Sequence, residues 1–334
     1  MVIQFHLTNA CNLRCKHCYQ GSYTKDIVSL ENFEKILYET KNFFGIIQNI
    51  LITGGEPFIV PNIIDYLHIA SKYCKQIMIL TNGTLLTEEI LSQALVKTNG
   101  KLNRIQVSLE GPKQINDNIR GIGIYDKVRE AIRLINNMNI RSIVSCTISG
   151  YNYNHIIELY DDLIKQDAPK VLWFDRCIPF RNMDILTLEQ FEVFIRDLTQ
   201  LYNNYHKNNL PTIPATNRAL EFFARDDCEK IYHCGAGVKA FTIMHTGDVM
   251  LCRRLNTVVG NVLNQGWATI LDQIAPEIEA VHQCPDECMS CNFKDKCNGG
   301  LKCLTWNIYK DFNHKDINCY AETIKSLCSA DLGL

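Results

Sequence analysis

Three cysteines crowded onto one short loop constrain this chain more than anything else in it. Val2-Ile3-Gln4-Phe5-His6-Leu7 is an apolar run that reads as a strand, and it leads into Thr8-Asn9-Ala10-Cys11-Asn12-Leu13-Arg14-Cys15-Lys16-His17-Cys18-Tyr19. Thiolates at the spacing Cys-x3-Cys-x2-Cys can hold three irons of a four-iron cluster. No nearby cysteine completes the set, so one iron is open to a ligand that is not protein. An open position on a low-potential cluster is where a substrate is bound and reduced by one electron. A structural zinc knuckle with His17 or His6 as fourth ligand is the plainer reading of the same residues. A disulfide framework fits poorly, because no signal peptide or secretory context accompanies the trio.

The 334 residues suffice for one large domain and something smaller. With 34 Lys and Arg against 36 Asp and Glu there is no basic footprint, so no nucleic-acid partner is expected. No apolar run is long enough to span a bilayer and no targeting segment precedes the first strand, so a cytoplasmic protein without a membrane partner is expected. Sixteen cysteines then read as metal ligands in a reducing compartment. They are unevenly placed: after Cys18 come only Cys74, Cys146 and Cys177, then ten more from Cys228 onward. That shift marks a second domain.

From residue 1 to about 206, short apolar runs alternate with stretches of helical period. Strands are expected at 2–7, 48–53, 76–81, 104–109, 142–148 and 170–175. Leu30, Phe33, Ile36, Leu37 and Phe44 share a helix face behind the cap Ser29. Leu188, Phe191, Phe194, Ile195, Leu198 and Leu201 do so behind the capping box Thr187-x-x-Gln190. Six strands each followed by a helix indicate an α/β fold, a parallel sheet closed in part into a (β/α)6 TIM-like barrel, with functional residues at the C-terminal strand ends. The polar, proline-bearing stretch 203–218 suits a boundary. The expected division is a barrel at 1–206, a linker at 207–227 and a small cysteine-rich iron-sulfur domain at 228–334.

Strand two runs out into Thr53-Gly54-Gly55-Glu56-Pro57, where glycines let backbone approach a ligand and Glu56 offers a carboxylate to an ammonium group. Strand three ends in Thr81-Asn82-Gly83, strand four in Ser108-Leu109-Glu110-Gly111-Pro112, and Arg120 follows twelve residues after Ser108. Together with the cysteine loop, these segments resemble the signatures of the radical S-adenosylmethionine (radical SAM) superfamily. The resemblance implies that Cys11, Cys15 and Cys18 ligate a [4Fe-4S] cluster whose open iron is chelated by SAM. It further implies that His17, Tyr19, Gly54, Gly55, Glu56, Pro57 and Asn82 surround the cofactor, with the Gly-Gly-Glu-Pro segment at the methionine amino group. Ser108 and Arg120 would contact the SAM carboxylate. The common Ser-x-Asp-Gly of such relatives is Ser108-Leu109-Glu110-Gly111 here, so Glu110, which the resemblance also places at the cofactor, reaches one methylene further toward the ribose or substrate. Asp175-Arg176-Cys177-Ile178-Pro179 resembles a substrate-facing segment, which makes Arg176 a candidate substrate contact, with core packing as its alternative.

The cysteine-rich end resembles the SPASM extension of radical SAM peptide maturases, which holds two auxiliary four-iron clusters. By position, Cys228, Cys234, Cys252 and Cys303 would ligate the first, and Cys288, Cys291, Cys297 and Cys319 the second. Two departures stand out: five residues separate Cys297 from Cys303 where the family usually has three, and Cys284 and Cys328 are extra. Zinc at Cys288, Cys291, Cys297 and Cys303 is the alternative. Phe241–Cys252 reads as a hairpin turning at Thr246-Gly247-Asp248. Cys74 and Cys146 read as packing residues, and Cys177 as either packing or ligand.

The expected enzyme is a radical SAM oxidoreductase. It would cleave SAM reductively to methionine and a 5′-deoxyadenosyl radical and oxidatively modify a peptide, as in a thioether or carbon-carbon crosslink in a ribosomally made precursor. Fully ligated auxiliary clusters would accept the second electron. Oxidation of a small molecule or tetrapyrrole side chain is one alternative. Formylglycine formation is another, against which stands Arg253-Arg254 where sulfatase maturases usually carry an aspartate after the residue matched to Cys252. A non-catalytic metal scaffold is the third. The chain has no room for a leader-binding domain before the barrel, so the expected partners are a peptide or small protein, a separate leader-binding protein, and a flavodoxin- or ferredoxin-type electron donor.

Overall fold

The computed structural model describes residues 1–20, 23–179, 184–216 and 234–319. Its spine is a parallel run of six strands, β1 (Val2–His6), β2 (Ile47–Thr53), β3 (Cys74–Thr81), β4 (Leu102–Ser108), β5 (Arg141–Ile148) and β6 (Val171–Arg176), each paired with the next. The strands divide their side chains by alternation. Ile3, Phe5, Ile50, Ile52, Ile77, Ile79, Ile105, Val107, Val144, Cys146, Leu172 and Phe174 are buried against the helices. The intervening row, which includes Gln106, Ser108, Ser145, Thr147 and Asp175, faces the inside of the curl and lines its cavity. The register sets His6 beside Thr53 and Ser108 beside Ser145, so the C-terminal ends of the strands gather at one rim.

The helices cover the apolar side. They are α1 (Leu30–Phe44), α2 (Ile63–Tyr73), α3 (Glu88–Lys97), α4 (Lys113–Arg120), α5 (Ile124–Asn137), α6 (Ile156–Gln166) and α7 (Leu188–Asn208). Ser29 caps α1 by accepting from Asn32 N at 3.1 Å. Both halves of the Thr187–Gln190 capping box are made. Phe33 of α1 meets Phe5 of β1 edge to face at 4.7 Å, and Phe191, Phe194 and Leu198 of α7 are fully buried.

The polar stretch expected to start a linker is ordered structure over its described part. The last turn of α7 takes in Asn203–Asn208 and ends at Asn209, which adopts the left-handed conformation that closes helices. Ile213–Ala215 is a seventh strand, β7, parallel to β6. Thr212 O accepts from the buried Tyr160 hydroxyl at 2.6 Å, and Pro214 is tolerated because the strand lies at the sheet edge. Polarity here marks an exposed turn and an edge, not a loose tether.

The cysteine-rich end is built onto the same sheet. β8 (Ala240–Ile243) runs parallel to β1 with Ala240 beside Val2, and β9 (Asp248–Met250) and β10 (Val258–Asn261) extend the edge antiparallel. The β8–β9 hairpin turns where expected, with Gly247 at φ 86°. Beyond it lie α8 (Trp267–Gln273), α9 (Ala275–His282), α10 (Lys294–Cys297) and α11 (Lys302–Tyr309). Trp267 is buried against Phe44 and Phe241, and its indole N–H donates to Thr40 Oγ1 of α1 at 3.0 Å.

Arg176 at the end of β6 was the candidate substrate contact, but its guanidinium is turned into the interior. It is 1% exposed and meets Asp316 through two hydrogen bonds of 3.0 and 2.8 Å, meets Asn318 Oδ1 at 3.1 Å, and lies over the Phe191 ring at 4.7 Å. Asp316 also accepts from the backbone N–H groups of Leu301 and Asn318. The pair fastens the last described segment to the barrel, because two buried charges hold only when every lone pair has a donor. Asp316→Ala removes the carboxylate that faces the buried Arg176 guanidinium. It should cost about 3–5 kcal/mol, read as a lower denaturant midpoint in equilibrium unfolding.

Candidate functional site

At the rim, the exit of β2 lies directly on the backbone of the cysteine loop. Gly55 N donates to Thr8 O and Glu56 N to Ala10 O, both at 2.8 Å. A β-carbon on Gly54 would come within 2.7 Å of Thr8 O, and one on Gly55 within 2.1 Å of Ala10 O. The glycines therefore make room first for protein backbone, which corrects their reading as a ligand approach alone, although both also line the cavity. Pro57 is buried in the 3₁₀ turn Pro57–Ile59 that follows.

Cys11, Cys15 and Cys18 are half-buried and line the cavity. Cys11 Sγ accepts from Leu13 N at 3.4 Å and Asn82 Nδ2 at 3.9 Å, and Cys15 Sγ from Arg120 Nη1 at 3.7 Å. Asn82 also donates to Asn12 Oδ1 at 2.7 Å. These donors suit sulfur that carries negative charge, as a cluster-ligating thiolate does. Arg14 braces the loop from outside, with its guanidinium 3.9 Å from the Tyr23 ring centroid and its Nη1 bonded to Cys11 O at 2.7 Å. Among the described residues no three His, Cys, Asp or Glu side chains converge on one point as a single-ion site requires.

Two carboxylates stand behind this surface. Glu56 is fully buried and accepts from Thr81 Oγ1 and Asn82 N, each at 2.7 Å, and from Phe58 N at 3.1 Å. Burial pushes its carboxyl up to about 7 against the pull of those donors. Its side chain ties β2 to β3 inside the wall and does not face the cavity, contrary to its reading as an ammonium ligand. Glu110 is likewise interior. It pairs with Arg120, approaches His17 Nε2 at 3.3 Å and accepts from Thr147 N at 2.6 Å. Burial raises its carboxyl, but Arg120 and then His17 outweigh that and hold it at about 2, against an ordinary 4.5. The longer side chain thus reaches sideways along the wall. Ser108, His17, Tyr19 and Arg120 all line the cavity.

Two residues noticed in the sequence only as evidence against an aspartate turn out to belong to the site. Arg253 and Arg254 follow β9, and both line the cavity. Arg254 Nη1 meets Asp175 Oδ1 at 3.0 Å and Nη2 donates to Arg176 O, so it bridges the far edge of the sheet to the end of β6. Arg253 Nη1 donates to the Tyr19 hydroxyl at 3.2 Å. Gln106, Ser145 and Thr147 were also missed, although the alternation of polar and apolar residues in β4 and β5 marks them.

Of the cysteines expected to hold auxiliary clusters, Cys228 lies outside the described residues, as does the extra Cys328. Cys74, Cys146 and Cys177 are buried. Cys288 is pushed up to about 11 by burial and then by Cys284, Cys319 and Cys291. Cys297 rises to about 12 through burial, then Asp316, Cys319 and Cys288. These mutual influences gather Cys288, Cys291, Cys297 and Cys319 in one neighbourhood, with Cys284 among them. The longer Cys297–Cys303 spacer holds three successive left-handed residues, Asn298, Gly299 and Gly300. A β-carbon on Gly299 would strike Pro285 at 2.4 Å, and one on Gly300 would strike Asp316 at 2.2 Å. The spacer is a tight turn that delivers Cys303 to the first turn of α11. Asn307 of that helix donates to both Cys303 O and Arg254 O, which sets Cys303 beside the segment carrying Cys252.

Residues 5–163 match the Radical SAM superfamily. The antilisterial bacteriocin subtilosin biosynthesis protein AlbA of Bacillus subtilis is 27% identical over 91% of this chain and 68% of its own length. The Fe-coproporphyrin III synthase of Methanosarcina barkeri is 22% identical over 96% of this chain and 87% of its own. Among solved structures, anSMEcpe with bound AdoMet superposes with a TM-score of 0.81 at 18% identity, covering 97% of this chain and 94% of that one.

The packing of Gly55 on Ala10 gives a direct test. Gly55→Ala should displace the cysteine loop and lower both the iron bound on reconstitution and the rate of SAM cleavage. Gly266→Ala, where a β-carbon meets nothing within 4 Å, should leave both unchanged. Glu110→Gln strands Arg120 and should cost about 3–5 kcal/mol at neutral pH. Because the Glu110 carboxyl is depressed, its contribution is full above about pH 4.5 and is lost as pH falls toward about 2. The gap between wild type and variant in denaturant midpoint should narrow over that window.

Proposed function

We propose that this radical SAM enzyme oxidises a peptide substrate held in the cavity at the barrel rim, forming a thioether or carbon-carbon crosslink in a ribosomally made precursor. When bound, a [4Fe-4S] cluster on Cys11, Cys15 and Cys18 and its SAM supply a 5′-deoxyadenosyl radical by one-electron cleavage of the sulfonium. The chain's own residues do the rest. Asn82, Leu13 N and Arg120 donate to the ligating sulfurs and fix their orientation. The backbone edge of Gly54 and Gly55 presents acceptors for the amino group of SAM, and Ser108 with Arg120 receives its carboxylate. The inward row of Gln106, Ser145 and Thr147 offers hydrogen bonds to the reacting molecule.

The observation that carries the oxidative reading is the place of Tyr19. It is half-buried in the cavity wall directly after Cys18, and its hydroxyl accepts at 3.2 Å from Nη1 of Arg253, the residue after Cys252. The N-terminal cluster loop and an assigned auxiliary ligand therefore flank the same cavity wall. A cluster on Cys228, Cys234, Cys252 and Cys303 would stand within reach of a substrate radical and could take its second electron. A further cluster on Cys288, Cys291, Cys297 and Cys319 would pass that electron outward to an acceptor. The first electron would come from an external flavodoxin- or ferredoxin-type donor, and leader recognition would fall to a separate protein or to the barrel mouth. No helix among the described residues is long and apolar enough to cross a membrane.

A second reading, oxidation of a tetrapyrrole side chain, is favoured by Arg253 in the cavity lining, a cation that no carboxylate among the described residues pairs with. Formylglycine formation is disfavoured by Arg253, which cannot act as the base that an aspartate would supply there.

Anaerobic reconstitution should yield about twelve irons per chain, as three four-iron clusters require, and dithionite should drive formation of 5′-deoxyadenosine. Cys15→Ala should abolish that product and remove about four irons. About four irons with zinc in the wild type would make the cysteine-rich end structural and sink the electron-acceptor argument.

A further inference from the structure

Of the four arginines that line the cavity among the described residues, three are already paired with carboxylates. Arg120 pairs with Glu110, Arg176 with Asp316 and Arg254 with Asp175. Arg253 is the exception. Among the described residues no carboxylate lies at ion-pair distance from it; its guanidinium donates to the Tyr19 hydroxyl at 3.2 Å and lies 5.1 Å from the centroid of that ring. A phenol is uncharged near neutral pH, so this partner supplies no counter-charge. The backbone N–H of Arg253 is bonded to Thr242 Oγ1 at 3.2 Å, which fixes where the side chain starts. His6, also nearby, is kept uncharged by burial, with a pKa lowered to about 3.

A half-buried arginine, anchored at both ends and facing a cavity with no counter-ion, is a receptor for an anion. Its planar fork matches a carboxylate through two parallel hydrogen bonds. SAM brings a carboxylate of its own, but the groups assigned to it, Ser108 and Arg120, follow β4. Arg253 follows β9, which is five places away in the sheet order on the other side of β1. The anion that Arg253 awaits belongs to the second molecule in the cavity.

We propose that Arg253 selects the substrate by its carboxylate: the molecule oxidised here carries an acidic group beside the reacting carbon, and Arg253, held by Tyr19, binds it. The inference rests on the cavity being the substrate site. The same chemistry is offered by an Asp or Glu side chain of a peptide and by the propionate of a tetrapyrrole.

The test uses the full chain, reconstituted anaerobically and loaded with SAM. One arm equilibrates it with a library of short acetylated, amidated peptides in which Asp and Glu are as frequent as Asn and Gln, and sequences those retained. The other compares the dissociation constants of coproporphyrin III and its tetramethyl ester. Wild type should favour acid over its neutral counterpart by about tenfold in at least one arm, the discrimination expected of one charge-assisted contact. Arg253→Gln should bring the ratio near one, and Arg253→Lys, which keeps the charge but not the fork, should restore part of it. A preference in the peptide arm supports both the inference and the peptide reading. A preference confined to the porphyrin arm supports the inference and overturns the peptide reading. Absence of discrimination in both arms, or its survival in Arg253→Gln, overturns the inference while leaving a peptide product still open to detection. A loss of SAM affinity in Arg253→Gln would place the side chain at SAM and overturn it as well.

Discussion

Everything at this rim depends on one contact between two stretches of backbone. The cysteine loop has little secondary structure to hold it, and the exit of β2 supplies what it lacks: two N–H groups aimed at Thr8 O and Ala10 O across a gap too narrow for any side chain. Glu56 makes the same junction rigid from behind. A buried carboxyl with three donors converging on it locks β2 to β3 and fixes the backbone of Asn82, whose side chain then reaches the first cysteine. The sulfurs are positioned by a chain of contacts that runs through protein alone, so the pocket is pre-organised before any ligand enters.

Charge at the cavity follows a second rule. Each of these buried ion pairs joins two separate elements. Glu110 with Arg120 links the end of β4 to the end of α4, Arg254 with Asp175 links the hairpin to β6, and Arg176 with Asp316 links β6 to the last described segment. A buried pair of this kind adds less to stability than its Coulomb energy suggests, but it penalises any arrangement in which one member is left alone. The pairs therefore specify geometry. Against that background Arg253, whose side chain meets a phenol and no carboxylate among the described residues, is the local exception that points to a ligand.

Much of this was legible in the sequence. Strand positions, the caps at Ser29 and Thr187, the hairpin turn at Gly247 and the cysteine loop all follow from periodicity and short-range chemistry, and the structure moves their bounds by only a residue or two. Side-chain direction was not legible. The residues 53–57 and 108–110 lie where the motif places them, yet Glu56 and Glu110 turn inward, because the donors that capture them come from β3, β5 and α4, which no local pattern identifies. Arg176 stayed open between substrate contact and core packing for the same reason, since its partner is 140 residues away. The polar stretch before residue 216 read as a tether because composition cannot separate an exposed helix end and an edge strand from a linker.

The pairing of β8 with β1 has a consequence for how the molecule comes into being. Val2 sits beside Asn49 on one side and Ala240 on the other. During synthesis the first strand gains one neighbour early, but its other edge stays bare until most of the chain has emerged from the ribosome. An uncovered edge carrying Ile3 and Phe5 is a template for pairing with another nascent chain. The cysteine loop follows directly from that strand, so the segment proposed to hold the cluster is also among the last to be fully walled in. On that proposal, cluster loading and completion of the sheet compete with aggregation in the order in which the chain is made.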